Sequence, residues 1–369
     1  MIEKLFKKAG LKTLDMYIIR KFLGTFFFSI TLLLAIVIVF DLSEKMEDFM
    51  EHQAPWTAVV FNYYFNFLPY FAILFMPLFV FIAVIFFTSK LTSNSEVVAI
   101  LSSGVSYPRL MRPYFISALF LAIFSFVLTG YVIPPANKVR IAFEMKYVDD
   151  EQSFSKKHVH KQISPGQFAY IETYEMARDI GYRFSLEKFE DDELVSKLIA
   201  ERVQWDSLAM KWKVSNYYIR NYKKGGIQEI KKGVSLDTAI NLHPKDFKIV
   251  LKSIETLNTR ELDEFIDEQQ MRGDDNLESY KVERYRRLAF PFSTFILTLI
   301  GVSLSTRKRR GGTGLNIAAG IALSFIYILF MQVFTALARA NSMPSLLAVW
   351  IPNIIFFVIG FVLYLMAPK

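Results

Sequence analysis

Residues 181–205 read GYRFSLEKFEDDELVSKLIAERVQW. Tyr182, Phe184, Leu186, Val203 and Trp205 alternate with polar residues, and Asp191-Asp192 interrupts the run. A period of two broken by a turn signal predicts half-buried strands joined by a hairpin. The same texture extends from Ile163 to about Val250, where Phe168, Tyr170, Trp212, Val214, Tyr218 and Ile230 continue the alternation. Further turns are expected at Ser164-Pro165-Gly166 and Gly225-Gly226. The reading is an antiparallel meander with those aromatics inward and neighbours such as Ala169 and Arg183 outward. A helix over Asn258–Arg272 follows, capped by Thr259, with Leu262, Phe265, Ile266 and Gln269 on one face. Gly273–Ser279 reads as a polar hinge.

Outward from this block, both flanks are apolar. The spans read Phe22–Phe40, one within Trp56–Thr88, Leu110–Ile133, Leu288–Leu304, Leu315–Leu337 and Leu346–Met366. A helix needs roughly 20 apolar residues to cross a bilayer core of about 30 Å. The fold class is therefore membrane α-helical, six transmembrane helices arranged 3+3, with a β-domain inserted between the third and fourth. The chain divides into residues 1–135, 136–275 and 276–369. Composition agrees: the chain is 53% hydrophobic with 36 phenylalanines, and its mean hydropathy is +0.29. Trp56–Thr88 contains Pro69 and Pro77 and would run about 50 Å as a helix. We read it as one kinked, tilted span, because two short crossings would reverse everything downstream. The basic N-terminus imitates a secretory signal, but no small-residue cleavage site follows, so the first span is expected to be retained.

Charge in the short loops sets direction. Lys4, Lys7, Lys8, Lys12, Arg20, Lys21, Lys90, Arg109, Arg112, Arg307, Lys308, Arg309, Arg310 and Lys369 fall on one side, fourteen in all; the other side carries only Lys45 and Arg339. Both termini are thus expected in the cytoplasm and the β-domain outside it. The net charge of +8 is explained by these flanks rather than by nucleic-acid binding.

Several chemistries are absent. There is no cysteine, which removes disulfides and thiolate chemistry. No phosphate-binding G-x-x-x-x-G-K-[ST] loop occurs, and no G-x-S-x-G or H-E-x-x-H. His158 and His160 would share a strand face, but no third ligand at metal-site spacing accompanies them. We expect no metal, no cofactor and no enzymatic activity. The spans hold almost no ionisable groups; Asn62, Asn66, Gln332 and Asn353 are the main polar intruders. An ion-coupled carrier needs buried charge, so the driving energy must come from a partner.

The loop after the second span reads LTSNSEVVAILSSGVS (residues 91–106). Ser93 and Glu96 fit the S-x-x-E capping box, Val97, Val98, Ile100 and Leu101 form a compact apolar face, and Gly104 suits a helix end. A short cytoplasmic helix over about residues 93–104 follows. Two readings remain: an interfacial helix whose Glu96 only caps, or a docking knob whose apolar face fills a partner's groove while Glu96 meets a partner cation.

The chain resembles the lipopolysaccharide-export permease family (LptF/LptG). The resemblance rests on LDMYIIRKFLGTF (14–26), SEVVAILSSGVS (95–106), TRELDEFI (259–266), ERYRRLAFPF (283–292), TRKRRGGTGLNIAAG (306–320) and WIPN (350–353), and on the place of the insert. The opening LDMYI leans towards LptG. Ser102 stands where many relatives would carry a basic residue. The resemblance implies a heterodimer with a paralogous permease, seated on a dimeric cytoplasmic ATPase. It implies that Ser95, Glu96, Val97, Val98, Ile100, Leu101 and Gly104 form the coupling helix. It implies a β-domain of jellyroll type that passes lipopolysaccharide from the inner membrane to periplasmic jellyroll bridge proteins. Lys45, Lys138, Arg140 and Lys146 are the candidate contacts to the lipid's phosphates, against ordinary interface snorkelling. The rival class is a mechanical or structural membrane partner of an ATPase that moves no lipid. Such proteins often have four spans with a domain after the first, unlike this chain. A lipid-modifying membrane enzyme is the third class, and no catalytic constellation supports it.

Overall fold

The computed structural model describes residues 12–148, 155–175, 178–191, 193–222, 228–238, 240, 242–244, 254–271, 274, 276–306 and 312–367. The expectations placed on Lys4, Lys7, Lys8, Asp192, Gly225-Gly226, Gly273, Arg307–Arg310 and Lys369 lie outside these residues. The chain begins with helices α1 (Thr13–Glu51), α2 (Trp56–Ser93), α3 (Glu96–Ser102) and α4 (Tyr107–Tyr147). Strands β1 (Ser155–Ser164), β2 (Gln167–Glu175), β3 (Ile180–Glu190), β4 (Glu193–Asp206), β5 (Lys211–Tyr222) and β6 (Gln228–Thr238) follow. Helices α5 (Thr259–Met271), α6 (Leu277–Ser305), α7 (Gly312–Arg339) and α8 (Ser345–Leu365) complete it. Two compact units result: Met1–Phe143 with Glu278–Lys369, and Glu144–Leu277.

The helical unit contains six helices long and apolar enough to cross a membrane. α1 has 39 residues, about 58 Å at 1.5 Å per residue, so it outruns a bilayer core. α2 is a single helix despite Pro69 and Pro77. A π turn at Val59–Tyr64 opens it. The Asn66 side-chain amide donates to the carbonyls of Phe61 and Asn62 at 2.9 and 3.0 Å, serving oxygens that the wider turn exposes. A second π turn, Leu128–Val132, lies within α4.

Burial ranks the helices. In α6 78% of the most apolar window is buried, whereas α1 and α7 bury 17% each. α1, α2, α3 and α4 share a core that includes Phe22, Phe26, Val80, Val84, Val97 and Tyr114. α2, α6, α7 and α8 share another through Phe81, Ile300, Tyr327 and Phe356. Small residues permit the close approaches. A Cβ on Gly301 of α6 would lie 2.8 Å from Val84 Cγ1 of α2, and one on Gly320 of α7 would overlap Ile85 Cδ1. Asn353 is absorbed structurally: Tyr327 donates to its Oδ1 at 2.9 Å, and its Nδ2 donates to the Ala289 carbonyl at 3.2 Å.

The inserted unit is a six-stranded antiparallel meander in the order β1 to β6. Its inward face is not a plain period of two. One transverse row pairs Ile171, Phe184, Ala200, Tyr217 and Gly233; a second pairs Tyr174, Gly181, Val203, Val214 and Leu236. Both rows face one core, or meet it where a glycine stands. On every one of these strands the two rows are three residues apart, where simple alternation would give two or four. The extra residue lies in a row formed by His158, Glu172, Arg183, Glu201, Asn216 and Val234, which the ladder of paired Cα positions passes over. His158, Arg183 and Asn216, on alternate strands, have left-handed φ of 53°, 51° and 51°. The register is the same on both sides of this row, one residue facing one, so it is a phase slip shared by neighbouring strands and not the two-against-one insertion of a bulge. Arg183 grips Glu172 at 2.9 and 3.0 Å, and Asn216 donates to Glu201 at 2.7 Å. Gly233 is required in the first row: the Tyr217 ring occupies the place of its Cβ.

This fault corrects the expected faces. Phe184, Leu186, Val203, Trp205, Trp212 and Val214 point inward or pack on the core as expected, whereas Ala169 is buried and Phe168 is exposed. Tyr182 and Ile230 are exposed too, and Tyr170 and Tyr218 lie outside the core. Tyr170 instead meets His160, whose ring lies 4.5 Å away, and His158, whose Nδ1 is 3.0 Å from its hydroxyl. Leu242, after β6, packs on the inward face, where Trp212 Nε1 donates to its carbonyl at 2.7 Å. α5 buries Leu262, Ile266 and Gln269. Its cap is Asn258 rather than Thr259: Asn258 Oδ1 accepts from the Glu261 amide and Glu261 Oε2 from the Asn258 amide, both at 2.9 Å. That reciprocal pair is a capping box built one residue earlier than expected. The expected hinge is shorter, because α6 starts at Leu277 and takes in Ser279.

Candidate functional site

The connection between α2 and α4 carries the first candidate site. α2 runs on past its apolar stretch to Ser93, whose Oγ donates back to the Lys90 carbonyl at 3.0 Å. Ser93 therefore ends one helix instead of capping the next. Asn94 and Ser95 make the turn, and Ser95 takes a left-handed φ of 61° with no side-chain cap bond. The expected capping box is absent because the turn places Ser95, not Ser93, ahead of α3. Glu96 is held by its own chain. Asn94 Nδ2 donates to its Oε1 at 3.1 Å and Tyr17 Oη to its Oε2 at 3.4 Å. Gly104 ends the helix as expected: its φ is 88° and its amide donates to the Leu101 carbonyl at 3.1 Å.

The apolar residues of α3 divide. Val97 is 2% exposed and belongs to the core of the helical unit, and Ile100 and Leu101 pack partly against it. Val98 is 51% exposed. The compact face expected from the sequence is thus mostly spent on anchoring α3, because at 100° per residue Val97 and Val98 cannot face the same way. Glu96, Val98, Ala99 and the Ser102–Ser103 end remain accessible.

Around α3 the bundle is tied by polar contacts. Asp15, at 0% exposure, takes both guanidinium nitrogens of Arg109 at 2.5 and 2.7 Å, and its Oδ2 accepts from the Lys12 amide at 2.9 Å. The start of α1 is thereby pinned to the start of α4. Thr92 Oγ1 donates to the Ser305 carbonyl at 2.8 Å, joining α2 to α6. Sequence reasoning counted Arg109 only as a loop charge and missed Asp15. The signal was present: a carboxylate at the start of the first span, in a mostly basic flank.

The candidate lipid contacts sit at the opposite end of the spans. Lys45 lies 3.0 Å from Asp41 and against the Tyr63 hydroxyl, which itself donates to Asp41 at 3.1 Å. Tyr63 is packed by Phe49, Phe67 and Phe143. Arg140 is buried with its guanidinium 5.0 Å over the Tyr70 ring. Lys138 and Lys146 are exposed on the continuation of α4. Lys45 and Arg140 are drawn into aromatic packing within the bundle, and Lys146 lies 4.9 Å over the Tyr147 ring.

Six membrane-length helices packed through small residues, a short intervening helix, and an inserted apolar-faced sheet define a multi-pass membrane permease. Over residues 16–366, nearly its whole length, the chain matches the family model described as Lipopolysaccharide export system permease LptF/LptG. The chain belongs to this family. A search of curated proteins returned no match.

Proposed function

We propose that this chain is the permease subunit of an ATP-driven exporter that draws lipopolysaccharide from the inner membrane and passes it to a periplasmic bridge. The observation that carries the reading is α3. It is fastened to the bundle by Val97 and Glu96, and it presents Val98 outward at the same end as the basic flanks of α1 and α4. A force on such a helix is passed directly to α1, α2 and α4. An apolar side chain so exposed suits an aromatic or aliphatic groove on a cytoplasmic ATPase, and the chain itself carries no nucleotide-binding loop. Both termini are then cytoplasmic and the β-domain periplasmic. The little-buried α1 and α7 offer apolar surface to a paralogous permease and to lipid. The inward rows of the sheet supply an apolar lining for acyl chains, and Lys138 and Lys146 are the basic side chains most open to a lipid phosphate.

Val98→Asp would place a charge in the docking groove, whereas Glu96→Gln removes a charge already shared with Tyr17 and Asn94. Val98→Asp is expected to abolish co-purification of the ATPase; Glu96→Gln should weaken it by about 1 kcal/mol, roughly fivefold. Both should leave the permease inserted. ATPase recovery unchanged in both variants would remove the docking role of α3. Lipopolysaccharide absent from a complex that does retain the ATPase would favour the purely mechanical partner.

A further inference from the structure

We propose that the groove between α1 and α2, at the end that carries α3, binds an anionic glycerophospholipid of the leaflet on that side. The groove holds about 730 Å³ and is partly open, within the roughly 300–1,000 Å³ typical of small-molecule sites. Arg20 and Lys21 stand at its mouth; Gly24 and Phe28 from α1 and Ile82 and Phe86 from α2 form the walls beyond. The polarity follows depth. Arg20 lies a little over one turn from Asp15, at headgroup level, and Phe28 about 12 Å further along the helix.

Three features separate this site from lysines and arginines that merely snorkel. Arg20 and Lys21 are both exposed and, among the described residues, neither takes part in an ion pair. An arginine fork beside an ammonium suits a phosphodiester, which it can meet through two parallel N–H donors. Gly24 removes the wall that a side chain would make: nothing lies within 4 Å of where its Cβ would be. An acyl chain can therefore lie against the α1 backbone, between Phe28 and Phe86. Tyr17, whose hydroxyl holds Glu96 of α3, lines the same groove. A bound lipid thus touches a residue that positions α3, and this gives the leaflet a direct hold on that helix.

The test is native mass spectrometry of the full chain, with its co-purifying subunits, released from nanodiscs of equal parts phosphatidylglycerol and phosphatidylcholine. The wild type should retain phosphatidylglycerol in preference. The Arg20→Gln/Lys21→Gln pair should lower that retention about thirtyfold, the change given by about 1 kcal/mol per basic residue. Gly24→Leu keeps both charges and favours the helix, yet should lower retention as well by filling the groove. Millimolar inorganic phosphate should leave the lipid in place. Equal retention of the two lipids overturns the proposal. So does full retention in Gly24→Leu, which would mean diffuse attraction alone. Displacement by inorganic phosphate would make the groove an ion site. Loss of a co-purifying subunit from Gly24→Leu, with lipid retention unchanged, would make it a protein interface.

Discussion

In the helical unit an extra residue is taken up inside a single helix, at Val59–Tyr64 in α2 and at Leu128–Val132 in α4. In the sheet an extra residue in one strand is matched by one in each neighbour, along the row from His158 to Val234. A helix bonds to itself, so its neighbours need not change. A strand's bonds all go to its neighbours, so a phase slip confined to one strand would turn its core side chains to solvent. The slip is tolerated in the sheet only because every strand makes it at the same level.

The sharpest way to break this comparison is to test the faces it assigns. Phe184 lies within the first inward row, and Phe168 points away from it. Phe184→Ala should cost about 3–5 kcal/mol of β-domain stability, and Phe168→Ala should change it by less than about 1 kcal/mol. The midpoint of urea unfolding, followed by tryptophan fluorescence in a full-length chain carrying Trp56→Phe and Trp350→Phe so that only Trp205 and Trp212 report, measures both. Equal losses would mean that the two faces are not distinguished and that no slip exists.

A helix–helix seam should respond to volume rather than phase. Gly301→Val would press against Val84, 2.8 Å from the position of the new Cβ. Overpacking of this kind costs about 1–3 kcal/mol. The thermal midpoint of the detergent-solubilised chain should fall, and Val84→Ala in the same chain should recover part of it. Failure of Val84→Ala to rescue would place the strain elsewhere.

The smallest effect belongs to the fault itself. Arg183 holds a left-handed backbone that glycine adopts freely, so Arg183→Gly should raise the β-domain midpoint slightly even though it loses the ion pair to Glu172. Arg183→Val, with a branched side chain that resists positive φ, should lower it. A fall for glycine as deep as that for valine would show that the ion pair, not the backbone, holds the row.

The six spans were legible because hydropathy sums over a window and ignores phase. Neither the π turns nor Pro69 and Pro77 could hide them. The sheet was legible as a sheet for the same reason, since any stretch of local alternation signals strands. Its faces were not, because one residue in each strand exchanges the roles of Phe168 and Ala169, and the left-handed conformations of His158, Arg183 and Asn216 leave no mark that a lone sequence shows. At α3, Gly104 announced the helix end correctly. The start was misplaced because Ser93 and Ser95 both suit a cap, and only the length of α2 decides between them. Glu96 was recognised, but its bond to Tyr17 spans 79 positions, a distance that no local pattern reports.

The bond between Asp15 and Arg109 also has a history in time. Its partners are 94 positions apart, and at about 5–20 residues per second the ribosome supplies Arg109 roughly 5–20 s after Asp15. During that interval α1 is already long enough to enter the membrane, while the carboxylate that will fix its starting point has no guanidinium to meet. Until the third span arrives, the first helix has only its own apolar length and its packing against α2 to hold it. Arg109 then supplies the tie that fixes the start of α1 to the start of α4.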